Sequence, residues 1–122
     1  MKKHSAQMSV KEREHLAKYR DAVISQVGLR LSLHCQGRLA ENGVSDQLAL
    51  TAAAQGQPFE VARSQDGLKV AVRFEDKATA HCVVVSRGGV IITYWSNRAS
   101  DQHFSLRLGE YQGQWAWWRE AR

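Results

Sequence analysis

The sequence predicts an α+β fold in which N-terminal helices pack on one face of a twisted antiparallel sheet of four to five strands. Three observations predict it. Helical periodicity extends to about residue 55, a period of two follows Pro58, and two adjacent glycines separate two apolar runs. A chain of 122 residues that is 43% hydrophobic has enough apolar material for a core and is expected to form a single domain.

Three helices are expected in the N-terminal half. The first covers residues 9–30, where Ser9 can accept hydrogen bonds from the first turn as an N-cap. The second covers residues 32–42. The third covers residues 45–55, whose leucine and alanine content favours helix, and Pro58 keeps the chain from resuming a helix.

Strands are expected in the second half of the chain. A short strand is predicted at residues 59–61, and alternating polarity predicts a half-buried strand at 68–74. Nearly continuous apolar runs at 80–85 and 90–95 are typical of central strands. The Gly88-Gly89 pair between them predicts a two-residue hairpin turn, because glycine tolerates positive φ at both positions.

The C-terminal region carries weaker patterns. Residues 103–108 alternate in polarity as a further strand would, and residues 115–118, with three tryptophans, form either a last strand or a docking tail. The single domain therefore consists of an added basic N-terminal helix (1–30), a core (31–97) and a Trp-rich C-terminal strand or tail (98–122).

Pairing the strands predicts which side chains share a face. Across the glycine turn Cys82 lies opposite Trp95, and across a turn at Asp76-Lys77 Val72 lies opposite His81. The face away from the helices then holds two cations and an aromatic ring without a carboxylate, which suits a polyanion, unless the Trp-rich tail covers it. This face carries Lys69, Ala71, Arg73, Cys82, Thr93 and Trp95.

Composition limits the classes of function. The net charge of +5 favours acidic partners such as nucleic acid, and no metal or other cofactor is expected. Cys35 and Cys82 belong to no ligand cluster and lie in apolar surroundings, as buried thiols do. The sequence has no apolar run that indicates a signal peptide or a membrane span, so a cytoplasmic protein without a membrane partner is expected.

The most suggestive motif is His34-x-x-x-Arg38, followed by the step Gly43-Val44-Ser45. Two residues four apart share one face of a helix, so the imidazole and the guanidinium are neighbours. A titratable base beside a permanent cation can handle a phosphate group, although such pairs are also common on ordinary helix surfaces.

With this order of elements, the motif resembles the RelE-like group of small ribonuclease toxins, which includes the barnase, EndoU and colicin ribonucleases. The resemblance is to an uncharacterised toxin-like branch that has His-x-x-x-Arg on a first helix, then Gly-Ile-Ser, and a last strand ending in a Thr-x-Tyr type step. Here that strand is Val90 to Tyr94. The resemblance covers about residues 31–97. Asn42 stands where the branch often has a second arginine, which puts catalysis in doubt.

The resemblance implies metal-independent RNA cleavage, in which a ribose 2′-hydroxyl attacks the neighbouring phosphate. His34 would serve as acid or base and Arg38 would hold the phosphate. Arg73 would stabilise charge and Tyr94 would position a base. Further nucleic-acid contacts are expected from Lys69, Trp95, Arg98, Lys11 and Lys18.

Two other classes of function remain open beside a small basic RNA-binding protein with a possible cognate inhibitor or host partner. One is a protein-interaction module of a phage or mobile element, such as an inhibitor or accessory factor, that uses the basic helix and the Trp-rich end. The other is a DNA-binding accessory protein that uses the first helix. The enzyme hypothesis requires His34 and Arg38 to converge with Lys69 and Arg73 on one cleft.

Overall fold

A computed structural model describes residues 1–101 and 108–121, and in this part of the chain three helices pack against a six-stranded mixed sheet. The sheet order is β1-β3-β4-β5-β6-β2. The elements are β1 (Lys2–His4), α1 (Val10–Val27), β2 (Arg30–Leu31), α2 (Leu33–Glu41), α3 (Asp46–Gln55), β3 (Gln57–Ser64), β4 (Gly67–Asp76), β5 (Thr79–Ser86) and β6 (Val90–Arg98).

Each of the three helices begins after a serine whose hydroxyl caps it. Ser9, Ser32 and Ser45 accept hydrogen bonds from backbone N–H groups three residues later, at 3.0–3.1 Å. Such caps satisfy donors that the first helical turn cannot pair internally. The first helix ends at Val27 rather than at residue 30, because Gly28 leaves the helical conformation with φ of 74°.

The α+β prediction is confirmed, but the described sheet has six strands rather than four to five and is not wholly antiparallel. The two strands missed, β1 and β2, have three and two residues, too few for periodicity to reveal. β2 runs parallel to β6, with the N–H groups of Arg30 and Ser32 donating to the carbonyls of Gly89 and Ile91. A Cβ on Gly89 would lie 2.0 Å from the Gly28 carbonyl oxygen, so this close approach requires glycine.

Pairing across the glycine turn follows the predicted register. Cys82 lies opposite Trp95, as expected. The ladder shifts by one residue nearer the turn, where Val85 pairs with Ile91. This irregularity is a bulge on β6, and it adjoins the residues of β6 that pair with β2.

The predicted register between β4 and β5 is wrong by two residues. Val72 pairs with Val83 rather than with His81, because the turn is centred on Lys77 and Ala78, one residue later than predicted. Lys77 adopts φ of 57° there. A shift of two preserves the face of every side chain, so the predicted faces of the β4 and β5 residues still hold. On β6, unbroken pairing would place Ile92 in the core, but the bulge places Ile91 there and Ile92 on the opposite face.

The helices lie on one face of the sheet, and their apolar side chains form a core with alternate residues of the strands. Three alanines of α3 are fully buried, and their small size lets this helix lie close to β4 and β5. Among the residues of this core are Leu16, Val23, Cys35, Leu39, Val61, Val70, Val72, Val83, Val85, Ile91 and Trp117.

The Trp-rich C terminus is a docking tail and not a strand. Gln112 bridges to the backbone of Lys2 on β1 through two hydrogen bonds of 2.8 Å. Beyond it, Trp117 is fully buried, and its indole N–H donates to Glu12 of α1 at 3.0 Å. The strand predicted at residues 103–108 lies, apart from its last residue, outside the described residues.

No helix within residues 1–101 and 108–121 is long and apolar enough to cross a membrane.

Candidate binding site on the second sheet face

The His34-x-x-x-Arg38 motif lies on the outer surface of α2. Cys35 and Leu39 of that helix point into the core, which leaves His34 and Arg38 exposed. Arg38 Nη1 lies 3.6 Å from Glu41 Oε2, and the two side chains are 51% and 67% exposed. An ion pair this exposed contributes little to stability and leaves the arginine largely solvated.

Two other predicted catalytic residues are engaged within the fold. The guanidinium of Arg73 donates to the carbonyls of Asp101 and Ala99 at 2.7 and 2.8 Å, so it fastens the chain beyond β6. Tyr94 is 1% exposed on the helix-covered face, and its hydroxyl lies 2.7 Å from His81 Nδ1. An RNA base would have to enter the core to reach Tyr94.

The structure does not bring the two halves of the predicted cleft together. Lys69 and Arg73 alternate along β4 with core valines, so their side chains leave the sheet on the face opposite the helices, which we call the second face. His34 and Arg38 belong to the helical layer and line neither of the hollows that Lys69 and Arg73 line. The catalytic grouping that the resemblance implied is therefore not assembled.

The remaining nucleic-acid candidates are dispersed. Trp95 is half-buried on the second face, with its ring centroid 6.4 Å from that of Phe59. Arg98 is exposed at the end of β6, away from these hollows. Lys11 and Lys18 are exposed on α1, on the other side of the sheet. Of the five residues predicted to bind nucleic acid, Lys69 lies in a hollow of ligand size.

That hollow occupies the second face and has a volume of about 650 Å³. Its floor includes the small side chains of Ala62 of β3 and Ala71 of β4, which lie diagonally across the ladder between these strands. The tail forms one wall through Glu110 and Gln112. Small-molecule sites in proteins usually have volumes of this order. The other lining residues are Met1, Lys2, Glu60, Arg63, Lys69, Val84, Ile92 and Thr93.

Lys69 forms no ion pair with any residue in the described ranges. The carboxylate beside it in the register is Glu60, which lies diagonally across the β3–β4 ladder. Glu60 is engaged elsewhere, because the hydroxyl of Tyr111 in the tail donates to its Oε1 at 2.5 Å. Burial raises the pKa of Tyr111, and the hydrogen bond to Glu60 and its charge add to the effect, so the phenol keeps its proton.

The other cations near the hollow have partners. Lys2 Nζ lies 4.8 Å from the centroid of the Tyr111 ring, a cation–π contact. Arg63 Nη1 lies 3.4 Å from Glu120 of the tail, and its guanidinium is 5.9 Å from the Trp115 centroid. Among the described lysine and arginine side chains of the lining, Lys69 has neither an ion pair nor a cation–π contact.

The lining is mixed in charge, so the expected absence of a carboxylate on this sheet face is wrong. It holds the basic side chains of Lys2, Arg63 and Lys69, the carboxylates of Glu60 and Glu110, a threonine hydroxyl and an apolar floor, and it includes no histidine among the described residues. Within the same ranges no group of three or more His, Cys, Asp or Glu side chains could hold a metal ion. On the same sheet face, burial raises the pKa of the Cys82 thiol from 9.0 to about 11, although the positive charge of Arg73 acts to lower it. The raised pKa keeps the thiol protonated at neutral pH.

Sequence reasoning found Lys69 but missed the groups that make its surroundings a site. No spacing relates Glu60 to Tyr111 and Gln112, since Tyr111 and Glu60 are 51 residues apart. The C-terminal tail docks along β1 through the hydrogen bonds of Gln112 to Lys2, and this docking brings Tyr111 and Gln112 to the rim of the hollow. The available signal was the alternation that put Lys69 on the face away from the helices.

No family model, no curated protein and no solved structure matches the chain.

Proposed function

We propose that this protein binds single-stranded RNA through the hollow of the second face, and that Lys69 contacts a backbone phosphate. The observation that carries the proposal is an ammonium group that forms no ion pair with the described residues, in a hollow of about 650 Å³ whose Glu60 accepts a hydrogen bond from Tyr111. A cation in such surroundings can form a charge-assisted hydrogen bond to a phosphate oxygen without first giving up an internal partner.

A single strand fits these features better than a duplex. The floor is recessed between the strands and the tail, and a splayed nucleotide can enter where the rigid convex surface of a double helix cannot. The apolar floor offers van der Waals contact to a base, and the Thr93 hydroxyl can pair with a polar edge. The choice of RNA among polyanions rests on the resemblance of residues 31–97 to small ribonuclease toxins.

The proposed function is RNA binding. It does not include RNA cleavage by the residues to which the resemblance assigned catalysis. General acid–base catalysis needs its groups within hydrogen-bonding reach of the reacting atoms. His34 is on the helical layer, and Tyr94 is in the core. Neither can reach a phosphate held by Lys69 in this arrangement.

The other two classes of function have weaker support. A DNA-binding role for the first helix would need a basic face, but α1 carries four cations against three carboxylates. A protein-interaction role for the Trp-rich end would need accessible indoles. Trp115 and Trp117 are only 7% and 0% exposed, which leaves Trp118, 36% exposed, as the accessible indole of this end.

The test is the affinity of the purified protein for a fluorescein-labelled single-stranded RNA, measured by anisotropy over a range of salt concentrations. Lys69→Ala is expected to weaken binding about tenfold, the effect of one charge-assisted hydrogen bond. The negative slope of log K against log salt should also become shallower by about 0.7, since one phosphate contact is lost.

The matched control is Lys77→Asn. It removes one lysine from the same strand hairpin, and asparagine tolerates the positive φ at that position. This variant should bind RNA as the unmodified protein does, to within twofold. Equal weakening by both substitutions would show that the effect comes from net charge and not from a contact of Lys69 with RNA. The absence of RNA binding in the unmodified protein would refute the proposal.

A further inference from the structure

The β3–β4 ladder puts an acid within reach of the cation that we propose for the RNA site. Ala62 pairs with Lys69 and Glu60 pairs with Ala71, so Glu60 and Lys69 are diagonal neighbours on the second face. Long side chains in this relation can meet. Both residues line the same hollow. An ion pair between them would neutralise Lys69 and occupy the hollow.

The tail supplies the group that engages this acid. Tyr111 donates its hydroxyl hydrogen to Glu60 Oε1 at 2.5 Å. Two contacts fix the phenol ring: Lys2 Nζ lies 4.8 Å from its centroid, and the His4 ring packs perpendicular to it with the two centroids 5.6 Å apart. The two hydrogen bonds between Gln112 and Lys2 fix the backbone of the next residue.

We propose that Tyr111 is a positioning residue that keeps Lys69 available to an anionic ligand by holding the Glu60 carboxylate away from it. The role toward RNA rests on the proposed function, whereas the competition between Tyr111 and Lys69 for Glu60 does not. The tail of this chain thereby sets the charge of a surface formed by the central strands.

The competition can be tested with Tyr111→Phe, Glu60→Gln and the double variant. Phenylalanine keeps the ring beneath Lys2 and removes only the donor to Glu60. The Glu60 carboxylate then turns to Lys69, where an ion pair stabilises the ammonium form and slows its reaction with an acylating reagent. Glutamine at position 60 has no charge with which to form this pair.

The measurement is the rate at which Lys69 is acylated by a succinimidyl ester, followed by peptide mass spectrometry on the folded protein. Tyr111→Phe should slow Lys69 about two- to fivefold, the effect of an exposed ion pair, and should weaken RNA binding to a similar extent. The double variant should restore both values. Lys77 in the β4–β5 turn is the internal control, and its rate should not change.

A merely structural role for Tyr111 predicts a different pattern. If the lost hydroxyl only loosened the tail, Lys69 would react faster in Tyr111→Phe and Glu60→Gln would not rescue RNA binding. Either result overturns the inference, as does an unchanged Lys69 rate in Tyr111→Phe. If the acylation pattern holds while the unmodified protein binds no RNA, the positioning role stands and the proposed function fails.

Discussion

Basic residues on the two sides of the sheet differ in their surroundings. On the helix-covered side, Arg38 is solvated beside Glu41 at 3.6 Å, on a convex helix surface. On the second side, Lys69 lies in a hollow, and the acid nearest to it in the register is bound by Tyr111. The comparison teaches that a cation becomes a candidate ligand-binding group when it lies in a hollow and forms no ion pair. The sequence spacing between two functional residues does not reveal either condition.

Other cations on the helix-covered side serve the fold itself. Lys3 Nζ lies 2.6 Å from Glu12, and both side chains are largely buried under the tail. Arg20 donates to the carbonyls of Ala53 and Gly56, which lie at the C-terminal end of α3. These contacts satisfy groups that the helix end would otherwise leave unpaired.

The largest expected effect tests whether the tail belongs to the packed side. Trp117→Ala should lower the free energy of unfolding by about 3–5 kcal/mol, because it empties a buried site and removes the donor to Glu12. Trp118→Ala is the matched control and should cost less, about 1–2 kcal/mol, since that indole is 36% exposed. Denaturant unfolding measures both. Equal costs would contradict the docking of the tail through Trp117.

An effect of intermediate size concerns the buried thiol of the second face. The pKa of Cys82 is about 11 in the folded protein because of burial, whereas an unfolded thiol ionises near 9.0. Between these pH values the unfolded state binds fewer protons than the folded state, so stability falls as pH rises from 9 to 11. The Cys82→Ala variant should lose less stability over this interval, by about 2 kcal/mol. Denaturant unfolding at pH 8, 9, 10 and 11 measures the difference, and parallel curves would contradict it.

The smallest expected effect on RNA affinity is that of substitutions in the His34-x-x-x-Arg38 motif of α2. His34→Ala and Arg38→Ala should each change the affinity for single-stranded RNA by less than about twofold, because solvated groups outside the site contribute little. Anisotropy under the conditions used for Lys69→Ala measures this. A nuclease assay in chelator accompanies it. Cleavage that disappears in both variants, or a loss of affinity larger than that of Lys69→Ala, would move the functional site to α2.

The local signals in the sequence predicted most of the fold. A capping serine, Ser9, marked the start of the first helix and the glycine pair marked a turn, because such features act within a few residues of the chain. The two shortest strands were missed, since their pairing depends on partners about 60 residues away. Alternation on β4 gave the correct face of Lys69 even though the register was wrong by two.

The candidate site was less accessible to sequence reasoning. His34 and Arg38 do share a helix face, as their spacing predicted, but spacing does not reveal what that face meets. The hydroxyl of Tyr111 and the carboxylate of Glu60 meet because the tail docks along β1. That docking depends on tertiary packing of the tryptophans, for which periodicity gives no signal.

The most direct test of the account is to map RNA contacts on the folded protein by ¹H–¹⁵N NMR during titration with a short single-stranded RNA. The account predicts that the largest shift changes cluster at residues 60–62, 69–71, 92–93 and 110–112, which line the hollow. Changes centred on residues 33–41 of α2, with the hollow unaffected, would contradict it.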